Sequence, residues 1–330
     1  MYATSTQKRE WTYTPEKLAQ IRLEINENFR RKYESVVTAE ERAIFVTPEE
    51  ELRMLRSIED AALRFAEKFR PHIWPSVKWT AFSYFKRAFL VWVPSDTSVR
   101  MVMMACFYLA MKIDEFYVTI DEFVANMNVG EPRKNAERIL KLEPELMKLL
   151  NYNLTVHCPY RPFEGHLMDM KTRMLLLNFD LESIRRDSML FFQRALQTDI
   201  LLMYPPSQIA LAAINFGLHA QGKSDEILRE FLRKVLGIEE DSWAAGSTRP
   251  EDLETLEKTV TRVGQIMREV ERTFVPVPEQ ERESHKSQLS QVAKLIPILD
   301  ERRKEQWIAG GGVGLMPGEQ PEQPVDSDDE

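Results

Sequence analysis

Glycine is scarce in this chain: only 12 of the 330 residues are glycine, and five of those fall within residues 310–318. Almost no glycine therefore remains for phosphate-binding loops, and neither a Walker loop nor a dinucleotide-binding fingerprint is present. The G-x-S-x-G turn of serine hydrolases is also absent. The composition gives an enzyme little support and favours helices that are joined by short connections.

Cysteine and histidine are equally sparse, with two and five copies. Cys106 and Cys158 cannot build a disulfide framework, and this cysteine usage fits a reducing intracellular compartment. None of the five histidines has a partner at a metal-binding spacing. We therefore expect neither a metal nor any other cofactor.

Basic charge is in deficit, with 44 Lys and Arg against 52 Asp and Glu, so the formal net charge is −8. Because nucleic-acid binders usually carry a basic surplus, we expect no direct contact with nucleic acid. The first residues contain no apolar secretory segment. The longest apolar run is too short to span a bilayer, so we expect no membrane partner.

That apolar run is the most informative feature of the sequence. Eleven consecutive apolar residues, from Met101 to Met111, lead directly into Lys112, Asp114 and Glu115. A helix that is apolar on every side belongs at the centre of a helical domain. Lys112 would leave the core at the end of this helix. There it could interact with the last-turn carbonyls, or it could grip a partner protein.

Apolar periodicity predicts an all-α fold with two successive sets of five helices and an extra helix at each end. The predicted helices outside the apolar run cover 14–31, 48–69, 75–92, a short helix after a capping box at Thr119 and Glu122, 132–151, 162–173, 181–202, 208–220, 225–236, 252–272 and 279–307. The expected divisions are an N-terminal helix and connector (1–46), two helical domains (47–157 and 158–275), a C-terminal helix (276–308) and a disordered acidic tail (309–330).

Glu143 lies on the apolar seam of the helix predicted over 132–151, between Ile139 and Leu146. A buried carboxylate needs a cationic or hydrogen-bonding partner, and Lys112 is the candidate. Alternatively, Glu143 stands at the edge of the seam and reaches water. Pro144 follows it directly and predicts a kink or a late start of the helix.

Two further charged clusters have competing interpretations. The acidic pairs 114–115 and 121–122 could perform acid–base chemistry, or they could cap helices and face solvent. Lys86 and Arg87 stand beside aromatic residues and are expected to form a solvated edge of the helix over 75–92. Both clusters therefore have an ordinary structural explanation.

Several short stretches resemble the cyclin family. They are Q-K-R-E-W-T (7–12), L-A-M-K-I-D-E-F (109–116), V-H-C-P-Y-R-P-F-E-G (156–165), D-M-K-T-R (169–173) and P-S-Q-I-A-L-A-A-I (206–214). The resemblance covers roughly residues 1 to 275. It implies tandem five-helix cyclin boxes, with additional helices at the N- and C-termini.

The resemblance also implies a non-catalytic subunit that binds and activates a cyclin-dependent kinase by repositioning its αC helix and activation loop. In cyclins a helix-three lysine and a helix-five glutamate contact the kinase, and these positions match Lys112 and Glu143. Glu115 and Phe116 belong to the same helix-three motif and complete the expected kinase-binding set.

The similar members of the family imply a nuclear CDK-activating kinase complex. Its expected partners are the catalytic kinase subunit, a RING-finger assembly factor and the TFIIH core. Its expected substrates are the activation loops of other cyclin-dependent kinases and the C-terminal repeat of RNA polymerase II. Two alternatives stay open: another transcriptional cyclin with a different kinase, or a cyclin-fold general transcription factor.

Overall fold

The computed structural model describes residues 2–238, 250–274 and 276–310, and within these residues it contains helices and no strands. The all-α prediction is therefore confirmed. The predicted tail beyond residue 310 lies outside the described residues. The helices are α1 Thr6–Glu10, α2 Pro15–Tyr33, α3 Ala39–Arg42, α4 Pro48–Lys68, α5 Pro75–Ala88, α6 Val99–Ile113, α7 Ile120–Ala125, α8 Pro132–Leu149, α9 Tyr160–Arg173, α10 Arg185–Leu196, α11 Pro206–Ala220, α12 Glu226–Leu236, α13 Pro250–Thr273 and α14 Glu279–Ala309.

Helices α4–α8 form the first set of five and α9–α13 form the second. In the first set α6 packs against α4, α5 and α8, and in the second α11 packs against α9, α10 and α13. Every residue of α6 from Met101 to Met111 is buried, as the apolar run predicted, and Cys106 is fully buried among them. One continuous apolar core joins the two sets.

The terminal helices pack against each other beside the first set. Phe29 and Tyr33 of α2 share a small apolar cluster with Val292 and Leu299 of α14. The Tyr33 hydroxyl also donates a hydrogen bond to Asp300 Oδ1 at 2.9 Å. Since an isolated helix is marginal in water, this mutual burial helps to stabilise both ends of the chain.

Threonine caps define several helix starts. The predicted capping box is confirmed: Thr119 Oγ1 accepts the backbone N–H of Glu122, and the Glu122 carboxylate accepts the backbone N–H of Thr119. The same reciprocal pair, Thr47 with Glu50, starts α4. Each box satisfies two backbone donors that would otherwise have no partner in the first turn.

The prediction of a single helix over 181–202 is wrong. The structure has a short 3-10 helix (Leu181–Ile184), then α10, then a second 3-10 helix (Asp199–Leu202). Thr198 separates the last two elements. Its hydroxyl donates to the Ala195 carbonyl at 2.8 Å and accepts the backbone N–H of Ile200. These local bonds compete with the helical pattern and end α10.

The expectation that Lys86 and Arg87 form a solvated edge is also wrong, because they are only 8% and 2% exposed. Lys86 Nζ donates to Glu59 Oε1 of α4 at 2.5 Å. The Arg87 guanidinium stacks 5.1 Å from the ring centroid of Trp11 and donates to the carbonyl of Asn153. Residues distant in the sequence therefore cover both cations.

Pro144 does not delay the start of its helix. Helix α8 runs without interruption from Pro132 to Leu149, so of the two predicted effects, a kink or a late start, the late start is wrong. Pro144 removes one backbone donor, but Ile139 and Leu146 on either side are completely buried. Packing of these side chains holds the helix together through the proline.

A glycine marks a close contact between helices in the second set. A Cβ atom on Gly217 of α11 would lie 2.6 Å from Ser188 Oγ and 2.8 Å from the Ile184 carbonyl oxygen. We expect Gly217→Ala to lower the free energy of unfolding by about 1–3 kcal/mol, because α11 must move away from α10. Urea denaturation followed by circular dichroism measures this loss.

The matched control is Gly165→Ala in α9, where an added Cβ would meet nothing within 4 Å. Since alanine favours a helix more than glycine, this variant should be neutral or up to about 1 kcal/mol more stable. Equal stability of the two variants would contradict the close packing assigned to Gly217.

Candidate functional site

The two residues expected to carry function meet at the end of the core helix. Lys112 lies in the last turn of α6, and its Nζ donates to both carboxylate oxygens of Glu143 on α8, at 2.7 and 2.9 Å. The same Nζ lies 4.6 Å from the ring centroid of Tyr108. The structure thus supports the ion-pair interpretation for both residues.

The pair is asymmetric in its exposure. The Lys112 side chain is 46% exposed, whereas the Glu143 side chain is 11% exposed. A partner that approaches this surface therefore meets the lysine first, with its charge held in place by the carboxylate beneath it. A lysine held in this way can donate a hydrogen bond to an acceptor on a partner protein, either a carboxylate or a backbone carbonyl.

The chain turns sharply after α6. The backbone N–H of Phe116 donates to the Met111 carbonyl at 2.8 Å, and Glu115 adopts the left-handed conformation with φ 56°. This turn places Glu115 in solvent and Phe116 in the core, where Phe116 is 7% exposed. Of the four expected site residues, Lys112 and Glu115 are exposed, whereas Glu143 and Phe116 are buried, and Phe116 anchors the turn.

The acidic pairs have separate structural environments. Glu122 caps α7, and both Asp121 and Glu122 are exposed, as one interpretation predicted. Asp114 instead is half-buried, and burial raises its pKa above the ordinary value. Its Oδ1 accepts a hydrogen bond from the Thr80 hydroxyl at 3.4 Å. Asp114 therefore anchors the turn against α5.

Several large apolar side chains on and next to α5, α6 and α8 are exposed, and sequence reasoning missed them. Ile113 follows Lys112 and is 39% exposed, and Leu140 stands one turn before Glu143 and is 45% exposed. Tyr117 and Trp74 are also exposed. Leu140 could have been found from its spacing to Glu143, but the exposure of Trp74 depends on how α5 meets the turn after α6.

The part of the chain that the structure describes has neither a metal-binding cluster nor a membrane-spanning helix. No three or more His, Cys, Asp or Glu side chains there are grouped so that they could hold a metal ion. No helix in those same ranges has both the length and the apolar character needed to cross a bilayer.

Comparison with known proteins gives the family. The cyclin N-terminal domain matches residues 24–155, and the cyclin C-terminal domain matches residues 158–268. Cyclin-H of Xenopus laevis is 36% identical over 245 residues, which cover 73% of this chain and 75% of that relative. The chain belongs to the cyclin family.

Other relatives of this cyclin include Cyclin mcs2 of Schizosaccharomyces pombe, 30% identical over 64% of this chain and 68% of the relative. A solved structure of the CAK complex of Chaetomium thermophilum bound to ATP-γ-S contains a chain with a TM-score of 0.70 and 19% identity, covering 100% of this cyclin and 97% of that chain. A chain of yeast TFIIK (Kin28/Ccl1/Tfb3) has a TM-score of 0.61 and 22% identity, covering 82% and 100%. These structures confirm the fold.

Because cyclins are regulatory subunits, this cyclin is a regulatory protein and not an enzyme.

Proposed function

We propose that this cyclin binds and activates a cyclin-dependent kinase as the regulatory subunit of a CDK-activating kinase complex. The observation that carries the proposal is the Lys112–Glu143 pair, which the buried helix α6 presents at the surface. Relatives named cyclin-H support this assignment, as does the likeness of the fold to a chain in a CAK complex.

Activation follows from selective binding. A kinase is active only when its αC glutamate pairs with the lysine of strand β3, and αC must be correctly positioned for that pairing. A cyclin that binds this arrangement better than the inactive one shifts the population toward it. In the proposed complex Lys112 and Glu143 contact the αC region, Glu115 lies beside them, and Phe116 holds the turn that carries Glu115.

The proposed complex has further members. The yeast TFIIK structure holds Ccl1 together with Kin28 and Tfb3, so it contains two subunits besides the cyclin. By analogy we assign this cyclin a kinase partner, a RING-finger assembly factor and a place on the TFIIH core. Phosphorylation of CDK activation loops and of the RNA polymerase II C-terminal repeat would then take place in the nucleus.

The second candidate is another transcriptional cyclin with a different kinase. A cyclin of another name, Cyclin-C1-1 of Oryza sativa, is also similar to this chain, with 27% identity over 48% of this chain and 60% of the relative. The experiment that separates the two candidates mixes the full chain with each purified kinase and measures complex formation by size-exclusion chromatography. The proposal requires a stable complex with the CDK-activating kinase subunit. A complex with only the other kinase would support the second candidate and contradict the first.

A further inference from the structure

Two tyrosine side chains of this cyclin project into solvent. The chain has nine tyrosines, of which Tyr117 is 86% exposed and Tyr152 is 67% exposed, whereas the other seven are buried or half-buried. Within the described residues, the Tyr117 side chain makes no hydrogen bond, ring contact or electrostatic contact. The fold therefore makes no use of this large side chain, and its hydroxyl is accessible to another protein.

The backbone at Tyr117 is also accessible. Tyr117 lies in the irregular segment between α6 and α7, and in the described part of the chain neither its N–H nor its carbonyl has a backbone partner. The backbone of Tyr152, by contrast, is held in a tight turn. Its N–H donates to the Met147 carbonyl and its carbonyl accepts the Leu154 N–H, both at 3.0 Å. Because proteins that bind an extended segment pair with its backbone groups, they can bind the chain at Tyr117 more easily than at Tyr152.

Acidic side chains lie on both sides of Tyr117 in the chain. Glu115 is exposed two residues before it, and Asp121 and Glu122 are exposed four and five residues after it. A tyrosine kinase with a basic substrate cleft selects targets with acidic neighbours, because complementary charge favours the correct encounter. Tyr117 therefore combines an exposed hydroxyl, an unpaired backbone and acidic neighbours, which are the features of a target for such a kinase.

We propose that Tyr117 is a phosphorylation site for an acid-directed tyrosine kinase. In the reaction the hydroxyl oxygen of Tyr117 attacks the γ-phosphorus of ATP, and a new O–P bond forms as the bond between that phosphorus and the β–γ bridging oxygen breaks. ADP leaves, and the phenol proton passes to the catalytic aspartate of the modifying kinase. The product carries a charge of about −1.5 to −2 at neutral pH in place of a neutral hydroxyl.

The new charge would arise close to Lys112. The N–H of Phe116 donates to the Met111 carbonyl at 2.8 Å, and this bond folds the chain back at the end of α6. With ordinary peptide dimensions, the bond keeps the Cα atoms of Lys112 and Tyr117 within about 10 Å of each other. A phosphate at Tyr117 would repel an acidic acceptor that approaches Lys112, so it should weaken binding of the cyclin-dependent kinase. This effect rests on the proposed function, whereas the modification itself does not.

The first experiment treats the full chain with ATP and the purified catalytic domain of an acid-directed tyrosine kinase, and locates phosphate by mass spectrometry of peptides. We expect Tyr117 to be modified at least about tenfold faster than Tyr152, whose backbone groups are paired and which follows Lys148 by four residues. Tyr117→Phe should remove most of the incorporated phosphate. Tyr152→Phe is the matched control and should leave the incorporation unchanged. Equal rates at the two tyrosines, or no modification of Tyr117, would overturn the proposal.

The second experiment measures how the phosphate affects assembly. Isothermal titration calorimetry compares the affinity of three proteins for the purified CDK-activating kinase subunit: the phosphorylated chain, the untreated chain and Tyr117→Phe after the same treatment. We expect the phosphorylated chain to bind about 5- to 30-fold more weakly at physiological salt, and the difference to shrink at about 1 M salt because the charges are screened. The treated Tyr117→Phe variant should bind like the untreated chain.

The outcomes keep the modification site apart from the proposed function. A phosphorylated chain that binds as tightly as the untreated chain, or more tightly, would overturn the effect on assembly. If Tyr117 is phosphorylated in a chain that does not bind the cyclin-dependent kinase even before treatment, the proposed function and the effect on assembly both fail, and the modification site is supported.

Discussion

Replacing Lys112 by alanine should weaken binding of the kinase by about 2–5 kcal/mol while the fold survives. The reason is the asymmetry of the ion pair: Lys112 is the exposed member, and a partner would desolvate its charge. Removal of this partly exposed side chain opens no large cavity. Calorimetric titration gives the loss in affinity, and thermal unfolding monitored by circular dichroism reports on the fold.

Lys171→Ala is a matched control for this variant. The Lys171 side chain is also 46% exposed, and its Nζ pairs with Glu182 Oε1 at 2.5 Å on the second set of helices. The loss of this surface pair should cost less than about 1 kcal/mol in stability and nothing in affinity. If Lys112→Ala keeps both the affinity and the melting temperature, Lys112 has no role at the interface. If it unfolds the chain, Lys112 has a structural role inside the protein.

Lys86→Met should lower the free energy of unfolding by about 3–5 kcal/mol. It leaves Glu59 without its cation in a site where the two side chains are only 6% and 3% exposed. Burial already raises the pKa of Glu59, and Lys86 opposes that rise. Without Lys86, the folded chain would hold a proton on Glu59 more firmly than the unfolded chain does. The loss should therefore shrink as the pH falls from about 8 to about 5.

The double variant Lys86→Met with Glu59→Met distinguishes an uncompensated charge from lost packing. Apolar side chains of similar volume remove the buried charge as well as its partner, so most of the lost stability should return. Urea denaturation of the original chain and of the three variants completes the cycle. A double variant that is less stable than Lys86→Met would show that packing, and not the unpaired carboxylate, causes the loss.

Local patterns predicted the parts of the structure that depend on neighbouring residues. The apolar run predicted that α6 would be buried, and the spacing of Thr119 and Glu122 predicted a capping box. The position of Glu143 on an apolar seam predicted a cationic partner, and Lys112 at the end of α6 was within reach. In the first two cases the decisive residues lie on one helix or in its first turn, whereas the third pairs the end of α6 with α8.

Long-range contacts explain what the sequence did not reveal. Lys86 and Arg87 look solvated from the pattern of α5 alone, but Glu59 of α4 and Trp11 near the N-terminus cover them. The edge-to-face contact between the rings of Phe116 and Trp74 likewise joins residues that are 42 positions apart in the chain. Such contacts are set by how helices pack, and apolar periodicity does not specify which side chains meet.

The rate of phosphate transfer shows whether this cyclin activates a kinase, as we propose. The full chain is added in increasing amounts to the purified CDK-activating kinase subunit, with a CDK activation-loop substrate and ATP. We expect no transfer by the chain alone, slow transfer by the kinase alone and a saturable increase of many fold in the mixture. No increase at a saturating concentration of the chain, or phosphate transfer by the chain without the kinase, would contradict the proposal.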